Sequence, residues 1–398
     1  MAAKRPTILQ IIPELDTGGA ELSTVEIAGA IVRAGGRAIV LSEGGRLAPR
    51  IAAHGGEFVP FAAGTKNPLH ILWNAHSIAK LVTAEGVDIV HARSRAPAWS
   101  ALIAARRTET HFVTTYHGAY SEKGRIKRAY NSVMAKGDIV IANSRYTSEL
   151  IQARYATSPA RLRVIYRGVD GREFDPATIA PSRTSALRQA WGIPETSRIV
   201  LQAARLTGWK GQGVVIAAAR LLKARGELED TVIVLAGDAQ GRDNYQGRLA
   251  EEIAAAGLAN HVRLVGHVDD MAAAFAIAHL AVVASTAPEA FGRAATEAQV
   301  MGCPVISTKI GAPPETVLAS PRYSAEERTG WLVPPGDAES LAAAIAEAMT
   351  LSAEAHAALA ARARAHVLEA FSLDAMCRQT LTVYDELLGT RLAAAFDR

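Results

Sequence analysis

The chain has 398 residues, 49% hydrophobic and 21% charged, which is ordinary globular composition and enough length for two domains. Its net charge of +4 is unevenly spread: residues 1–180 carry 23 Lys and Arg against 15 Asp and Glu, and the remainder 20 against 24. The basic half lacks the aromatic-interleaved basic pattern of a nucleic-acid binder, so nucleic acid is excluded as a partner and an anionic ligand or membrane surface is expected instead. Two cysteines, Cys303 and Cys377, stand 74 positions apart and form neither a metal pair nor a disulfide pattern. The apolar run 8–12 is too short for a signal peptide, and the uncharged stretch 271–288 reads as a helix followed by a strand. A cytoplasmic location follows, with peripheral contact on the inner membrane as an extension of it.

Short β-rich runs alternate with Ala-rich helical stretches. Residues 7–12, 37–42, 89–92, 112–116 and 139–142 read as buried parallel strands; 20–34, 69–85 and 144–154 read as helices between them, with Ser144 as an N-cap. The rhythm pauses at 168–197, where Gly, Pro, Ser and Thr accumulate around one short helix. It resumes with strands at 199–203, 231–236, 262–264, 280–284 and 304–307, and ends in helices over 338–398. Such alternation predicts an α/β chain of βαβ units. The expected boundaries are 1–175, a linker 176–197, 198–370, and a final helical segment 371–398 returning to the first domain. Ligands of such sheets sit beyond the C-terminal ends of the strands, so the residues there are the candidates.

After the first strand, Gly18-Gly19 lets the backbone approach an anion at a helix start. It is not the Gly-x-Gly-x-x-Gly dinucleotide fingerprint, and no acid closes the second strand, which counts against a nicotinamide enzyme. At the start of the second half, Arg205 and Lys210 offer two cations suited to a diphosphate. After the strand at 280–284 comes Pro288-Glu289-Ala290-Phe291-Gly292-Arg293-Ala294-Ala295-Thr296-Glu297. It places one carboxylate in a turn and a second one turn into a helix. The amides of Phe291, Gly292 and Arg293 lie between them. A carboxylate accepts both hydrogen bonds of a vicinal diol, which suits sugar and ribose hydroxyls.

In this set of features the chain resembles the family-4 retaining glycosyltransferases with the GT-B fold. Glu289 and Glu297 match the Glu-x7-Glu signature. Gly18-Gly19, His117-Gly118, Arg205 and Lys210 precede it in order, and Gly302-Cys303-Pro304-Val305-Ile306-Ser307 and Gly311-Ala312-Pro313-Pro314-Glu315 follow. The stretches HARSRAPAW, TYHGAY and LTGWKGQ further resemble bacterial members that build lipopolysaccharide core and other surface glycans.

The resemblance implies two Rossmann-like domains facing across a cleft, with C-terminal helices packing back on the first. Gly18 and Gly19 would bring amides to the donor phosphates. Arg205 and Lys210 would hold the diphosphate and stabilise its departure. Glu289 would bind the donor sugar, Glu297 the ribose, and His117 the sugar near the reacting carbon. Val265 to Val268, with Gly266 and His267 among them, would frame the nucleobase through main-chain groups, and the amides of Phe291, Gly292 and Arg293 would complete the pocket. Arg293 departs from the usual pattern and fits either an anionic donor sugar or a surface position. His91, Arg93, Tyr116 and Arg125 fall on the acceptor side.

The partners implied are a nucleotide-sugar donor and a glycan or lipid-linked acceptor. The basic stretch 122–136, read as a helix with Lys123, Arg125, Lys127 and Arg128 around an apolar side of Ile126, Tyr130, Val133 and Met134, is either a solvated face or a contact for an anionic membrane. No metal-ligand spacing is visible, so no metal and no cofactor are expected. Two other functions share the architecture: a sugar-nucleotide epimerase, for which no acid/base set across the sugar is found, and a nucleotide-sugar-binding protein without turnover, against which both glutamates, Arg205 and Lys210 argue.

Overall fold

The computed structural model describes residues 5–16, 18–120, 124–239, 241 and 243–398. The chain divides into two compact units, Met1–Gly168 with Leu373–Arg398, and Val169–Ser372. The first contains seven strands: β1 (Thr7–Ile11), β2 (Arg37–Ser42), β3 (Glu57–Pro60), β4 (Ile89–Ala92), β5 (His111–Tyr116), β6 (Ile139–Ala142) and β7 (Leu162–Val164). They form one parallel sheet in the order β3-β2-β1-β4-β5-β6-β7. The second contains β8 (Arg198–Ala203), β9 (Thr231–Ala236), β10 (Val262–Gly266), β11 (Leu280–Val283), β12 (Val305–Thr308) and β13 (Gly330–Val333). Its parallel order is β10-β9-β8-β11-β12-β13.

The central strands are buried on both faces, which is why they read as continuous apolar runs. In the first unit, Ile8, Val40, Ile89 and Val113 point into one hydrophobic cluster, and Leu9, Ile39, Val90 and Phe112 into the opposite one. Three strands escape the sequence reading: β3, β7 and β13. Each lies at a sheet edge and is only three or four residues long; β3 and β7 are also partly exposed and carry no unbroken apolar run, whereas β13 is largely buried and escapes by its shortness.

Residues 176–197 hold a 3-10 turn, Pro176–Thr178, and a helix, Pro181–Trp191, both in the second unit. Trp191 is buried, and Arg183 makes a two-pronged ion pair with Asp270 at 2.7 and 2.8 Å. Helices Leu373–Leu388 and Leu392–Phe396 belong to the first unit; Met376, Leu381, Tyr384 and Phe396 enter the cluster built by Val25 and Ile31 of helix Gly19–Arg33. Ser144 caps helix Arg145–Tyr155, its hydroxyl accepting from Thr147 N at 3.0 Å.

The expected basic helix at 122–136 is shorter. It spans Arg125–Asn131 and tightens into a 3-10 turn over Ser132–Ala135; Glu122 and Lys123 lie outside the described residues. Gly124 sits just before it at φ +97°, a conformation that breaks helical continuity. Ile126, expected on the packed side, is 89% exposed, while Val133 and Met134 are fully buried.

A buried polar chain ties the returning helix to the first sheet. His91, on β4, is fully buried; its Nδ1 bonds Tyr384 Oη and its Nε2 bonds Thr115 Oγ1, both at 2.7 Å. Burial, reinforced by the Arg93 charge, holds the His91 imidazole well below the ordinary histidine range. Tyr384→Phe leaves Nδ1 buried without a partner and should cost about 1–3 kcal/mol, read as a lower urea midpoint. His91 is neutral when folded but takes a proton when unfolded below about pH 6.5. Folding stability should therefore decline as pH falls through that range, and the decline should be shallower in a His91→Gln variant.

Candidate functional site

In both sheets the strand order reverses between two neighbours, β1 and β4 in the first and β8 and β11 in the second. A crevice opens at such a point beyond the C-terminal strand ends. The candidate residues of the second unit gather at its reversal. Lys210 follows β8, Glu289 follows β11, and Lys210 Nζ donates to Glu289 Oε1 at 2.5 Å. Ser285 Oγ donates to the same oxygen at 2.6 Å. The side chains are 20% and 10% exposed, so the pair is largely removed from water. Lys210 Nζ also stands 4.3 Å from the Trp209 ring centroid.

The backbone that brings this pair together depends on two glycines. Gly211 has φ +75°, and a Cβ there would lie 1.9 Å from Ala284 O. The loop after β8 is thus pressed onto the end of β11. Gly311 has φ +82°, bridges Glu289 in a parallel contact, and would put a Cβ 2.2 Å from Glu289 O. Ala312 N donates to that same carbonyl at 2.9 Å, and Gln202 Nε2 donates to Lys210 O at 2.7 Å. Both ends of the ion pair are therefore held by backbone contacts.

Gly292 caps helix Arg293–Val300 at φ +87°. Phe291 is buried, edge-on to Phe371 at 5.7 Å, so only its backbone faces the turn. Arg293 is not a surface residue: Nε donates to Glu297 Oε1 at 2.7 Å, and the two side chains are 12% and 15% exposed. The Glu297 carboxylate expected to meet a diol is thus already engaged by the arginine four residues earlier, a helical-neighbour pair. The Arg205 side chain is exposed, and its carbonyl accepts from Gln212 Nε2 at 2.9 Å. Gly266 turns at φ +73° with its carbonyl accepting from Gly237 N at 2.7 Å. His267 Nε2 lies 3.0 Å from Asp269 Oδ1.

In the first unit, Gly18 and Gly19 begin helix Gly19–Arg33, and Gly18 offers no side-chain cap. Thr17 lies outside the described residues. His117 follows β5; its Nδ1 lies 2.9 Å from Arg167 Nη2, and its Nε2 is buried without a hydrogen-bond partner. Burial first, then the charges of Arg93 and Arg167, hold this imidazole well below the ordinary range.

Of the four residues expected on the acceptor side, His91 and Tyr116 are both fully buried, and both ring nitrogens of His91 are engaged within the protein. They are strand residues whose side chains turn into the unit. Arg93 is 3% exposed, and burial lowers its pKa to about 10. Arg125 alone of the four is exposed.

Ser285, Gln202 and Arg167 were not singled out by sequence. Ser285 and Gln202 act through single hydrogen bonds that no spacing announces. Arg167 stands after a three-residue edge strand that was itself not recognised. Among the described residues, no group of three or more His, Cys, Asp or Glu is arranged to hold a metal ion, and no helix is long and apolar enough to cross a membrane.

Comparison with known proteins agrees with this layout. Residues 17–172 match the family described as Glycosyltransferase Family 4, and residues 184–366 match Glycosyl transferases group 1. A D-inositol 3-phosphate glycosyltransferase of Salinispora arenicola is 34% identical over 185 residues, 45% of this chain and 41% of that protein. The match thus spans less than half of that curated relative. A glycosyltransferase from Rickettsia africae superposes with a TM-score of 0.86 at 35% identity, covering 96% of this chain and 99% of the other. Anabaena HepE, solved with UDP and glucose, gives a TM-score of 0.81 at 26% identity, covering 95% and 99%. With parallel α/β units of seven and six strands and both family matches in sequence order, the chain belongs to the GT-B glycosyltransferases, a family 4 domain preceding a group 1 domain.

Proposed function

We propose that the chain transfers a hexose-type sugar from a nucleoside-diphosphate sugar to a glycan or glycolipid with retention and without a metal ion. The observation that carries this reading is the Lys210–Glu289 pair at the strand reversal, with a helix N-terminus beside it. Arg205 and Lys210 are the cations for the diphosphate. A fixed, partly desolvated charge stabilises a leaving group without reorganising during the reaction. Glu289 is the carboxylate for donor-sugar hydroxyls, and the Glu297–Arg293 pair lies one helical turn further for the ribose. Gly18 and Gly19 supply amides to phosphate, Gly266 and His267 frame the base, and His117 contacts the sugar.

In this mechanism the bond from the anomeric carbon to the diphosphate oxygen breaks and the acceptor oxygen bonds on the same face. The acceptor proton passes to the departing phosphate, so no separate carboxylate base is required. The resemblance of HARSRAPAW, TYHGAY and LTGWKGQ favours a surface-glycan acceptor of lipopolysaccharide-core type. A second acceptor reading, a small phosphorylated cyclitol, is favoured by the names of the curated relatives. An epimerase or a binding protein without turnover is not favoured by the family matches.

Two features support a membrane-side acceptor. Helix Pro68–Glu85 exposes Leu69 (74%), Leu72 (50%) and Trp73 (65%) on its first turns and carries no acid before Glu85. Helix Arg125–Asn131 exposes Ile126 beside Arg125, Lys127 and Arg128. Both helices begin beyond C-terminal strand ends of the first sheet. Apolar anchors flanked by cations are the composition of an interfacial contact with anionic lipid.

Lys210→Ala and Arg205→Ala should each lower turnover of a labelled nucleotide sugar by ~10²-fold or more, while wild-type turnover persists in EDTA. Near-native rates in both folded variants would remove the diphosphate site from this place. Wild-type protein should sediment with anionic vesicles at low salt, and replacing Arg125, Lys127 and Arg128 by Ser together with Trp73→Ser should release it. Indifference of the wild type to such vesicles would favour the soluble phosphorylated acceptor.

A further inference from the structure

His117 and Arg167 stand 50 residues apart in sequence and meet inside the first unit, Arg167 Nη2 lying 2.9 Å from His117 Nδ1. A guanidinium has only donors and keeps its charge in a protein. The contact is therefore a hydrogen bond only if Nδ1 accepts. A neutral imidazole whose Nδ1 accepts carries its proton on Nε2, and a second proton would set N–H against N–H and cation against cation. Nε2 is the atom left buried without a hydrogen-bond partner. The imidazole is thus a donor whose bond to the protein is missing.

We propose that Arg167 is a positioning residue that fixes His117 in the neutral Nε2–H form, so that His117 acts on its ligand as a hydrogen-bond donor and not as a proton acceptor. The part concerning the ligand rests on the placement of His117 at the donor sugar proposed above; the part concerning the tautomer does not. The ligand atom this donor fits is an uncharged oxygen with a free lone pair, such as a sugar hydroxyl. It also explains why a histidine beside two arginines suits the site: the neighbouring charges of Arg93 and Arg167 oppose its protonation. A base is then absent at this position, in agreement with proton transfer to the departing phosphate.

The test uses the full chain with ¹⁵N-labelled histidine. Long-range ¹H–¹⁵N correlation spectra distinguish the two neutral tautomers and the cation, and the His117 signal is identified by its loss in His117→Gln. The wild type should show the Nε2–H form. Arg167→Met should show a tautomer mixture or the cation, and Arg167→Lys, which still donates, should restore the wild-type pattern. On the activity side, Arg167→Met should lower kcat by roughly 10-fold with little change in KM for the nucleotide sugar, on the scale of one neutral hydrogen bond. His117→Gln, whose amide reaches the place of Nε2, should retain more activity than His117→Asn. An Nδ1–H or cationic His117 in the wild type, or an unchanged spectrum in Arg167→Met, overturns the proposal. If the spectra behave as stated and Lys210→Ala is inactive, yet Arg167→Met keeps full kcat, the positioning role fails while the donor-site reading stands. If Lys210→Ala is also fully active, it is the donor-site reading that fails.

Discussion

The arrangement of the second unit turns on one ion pair. Lys210 and Glu289, 79 positions apart in the chain, come from the loops after β8 and β11, strands adjacent in the sheet. Bringing an ammonium and a carboxylate to 2.5 Å in a largely buried place requires loops that cannot drift, because a desolvated charge that loses its partner is strongly unfavourable. Gly211 and Gly311 meet this requirement by allowing backbone contacts that any Cβ would block. The Ser285 hydroxyl completes the same carboxylate oxygen. The charges are thus set in place before any ligand arrives, which is the condition for electrostatic stabilisation of a leaving group.

The first unit answers to a different constraint. Its buried polar residues include His91 and Arg93 among many Ser, Thr and Asn side chains, and burial holds the His91 and His117 imidazoles well below the ordinary histidine range. His91 serves the fold: both its nitrogens are engaged, one by Tyr384 of the returning helix. His117 differs from it in one nitrogen, Nε2, which is buried without a hydrogen-bond partner. Two residues of the same type, at neighbouring strands β4 and β5, thus differ in the hydrogen bonds their rings make within the protein.

That distinction shows why the sequence was legible only in part. Interior strands such as β1, β5 and β9 announce themselves through unbroken apolar runs, and the glutamates eight apart around Phe291-Gly292 stand out through spacing. Ser144 is visible as a cap because it follows a strand directly. The edges β3 and β7 carry no such signal, since half-exposed strands tolerate polar residues, and β13 is apolar and largely buried but only four residues long. Sequence position put His91 and Tyr116 at strand ends but could not tell which way they turn; a shift of one residue along a strand reverses the face. Likewise Arg293 read as equally suited to ligand or solvent, whereas the helical offset of four residues commits it to Glu297.

The central claim is that Lys210 and Arg205 form a site for the diphosphate of a nucleotide sugar. Calorimetric titration of the full chain with matched nucleoside diphosphates and monophosphates tests it most directly, because the two ligands differ only in the group these cations would hold. The account predicts that one diphosphate binds at least about tenfold more tightly than its own monophosphate, and that Lys210→Ala removes most of that difference. Equal affinity of the two ligands for the wild type, or a difference that survives in Lys210→Ala, would contradict it.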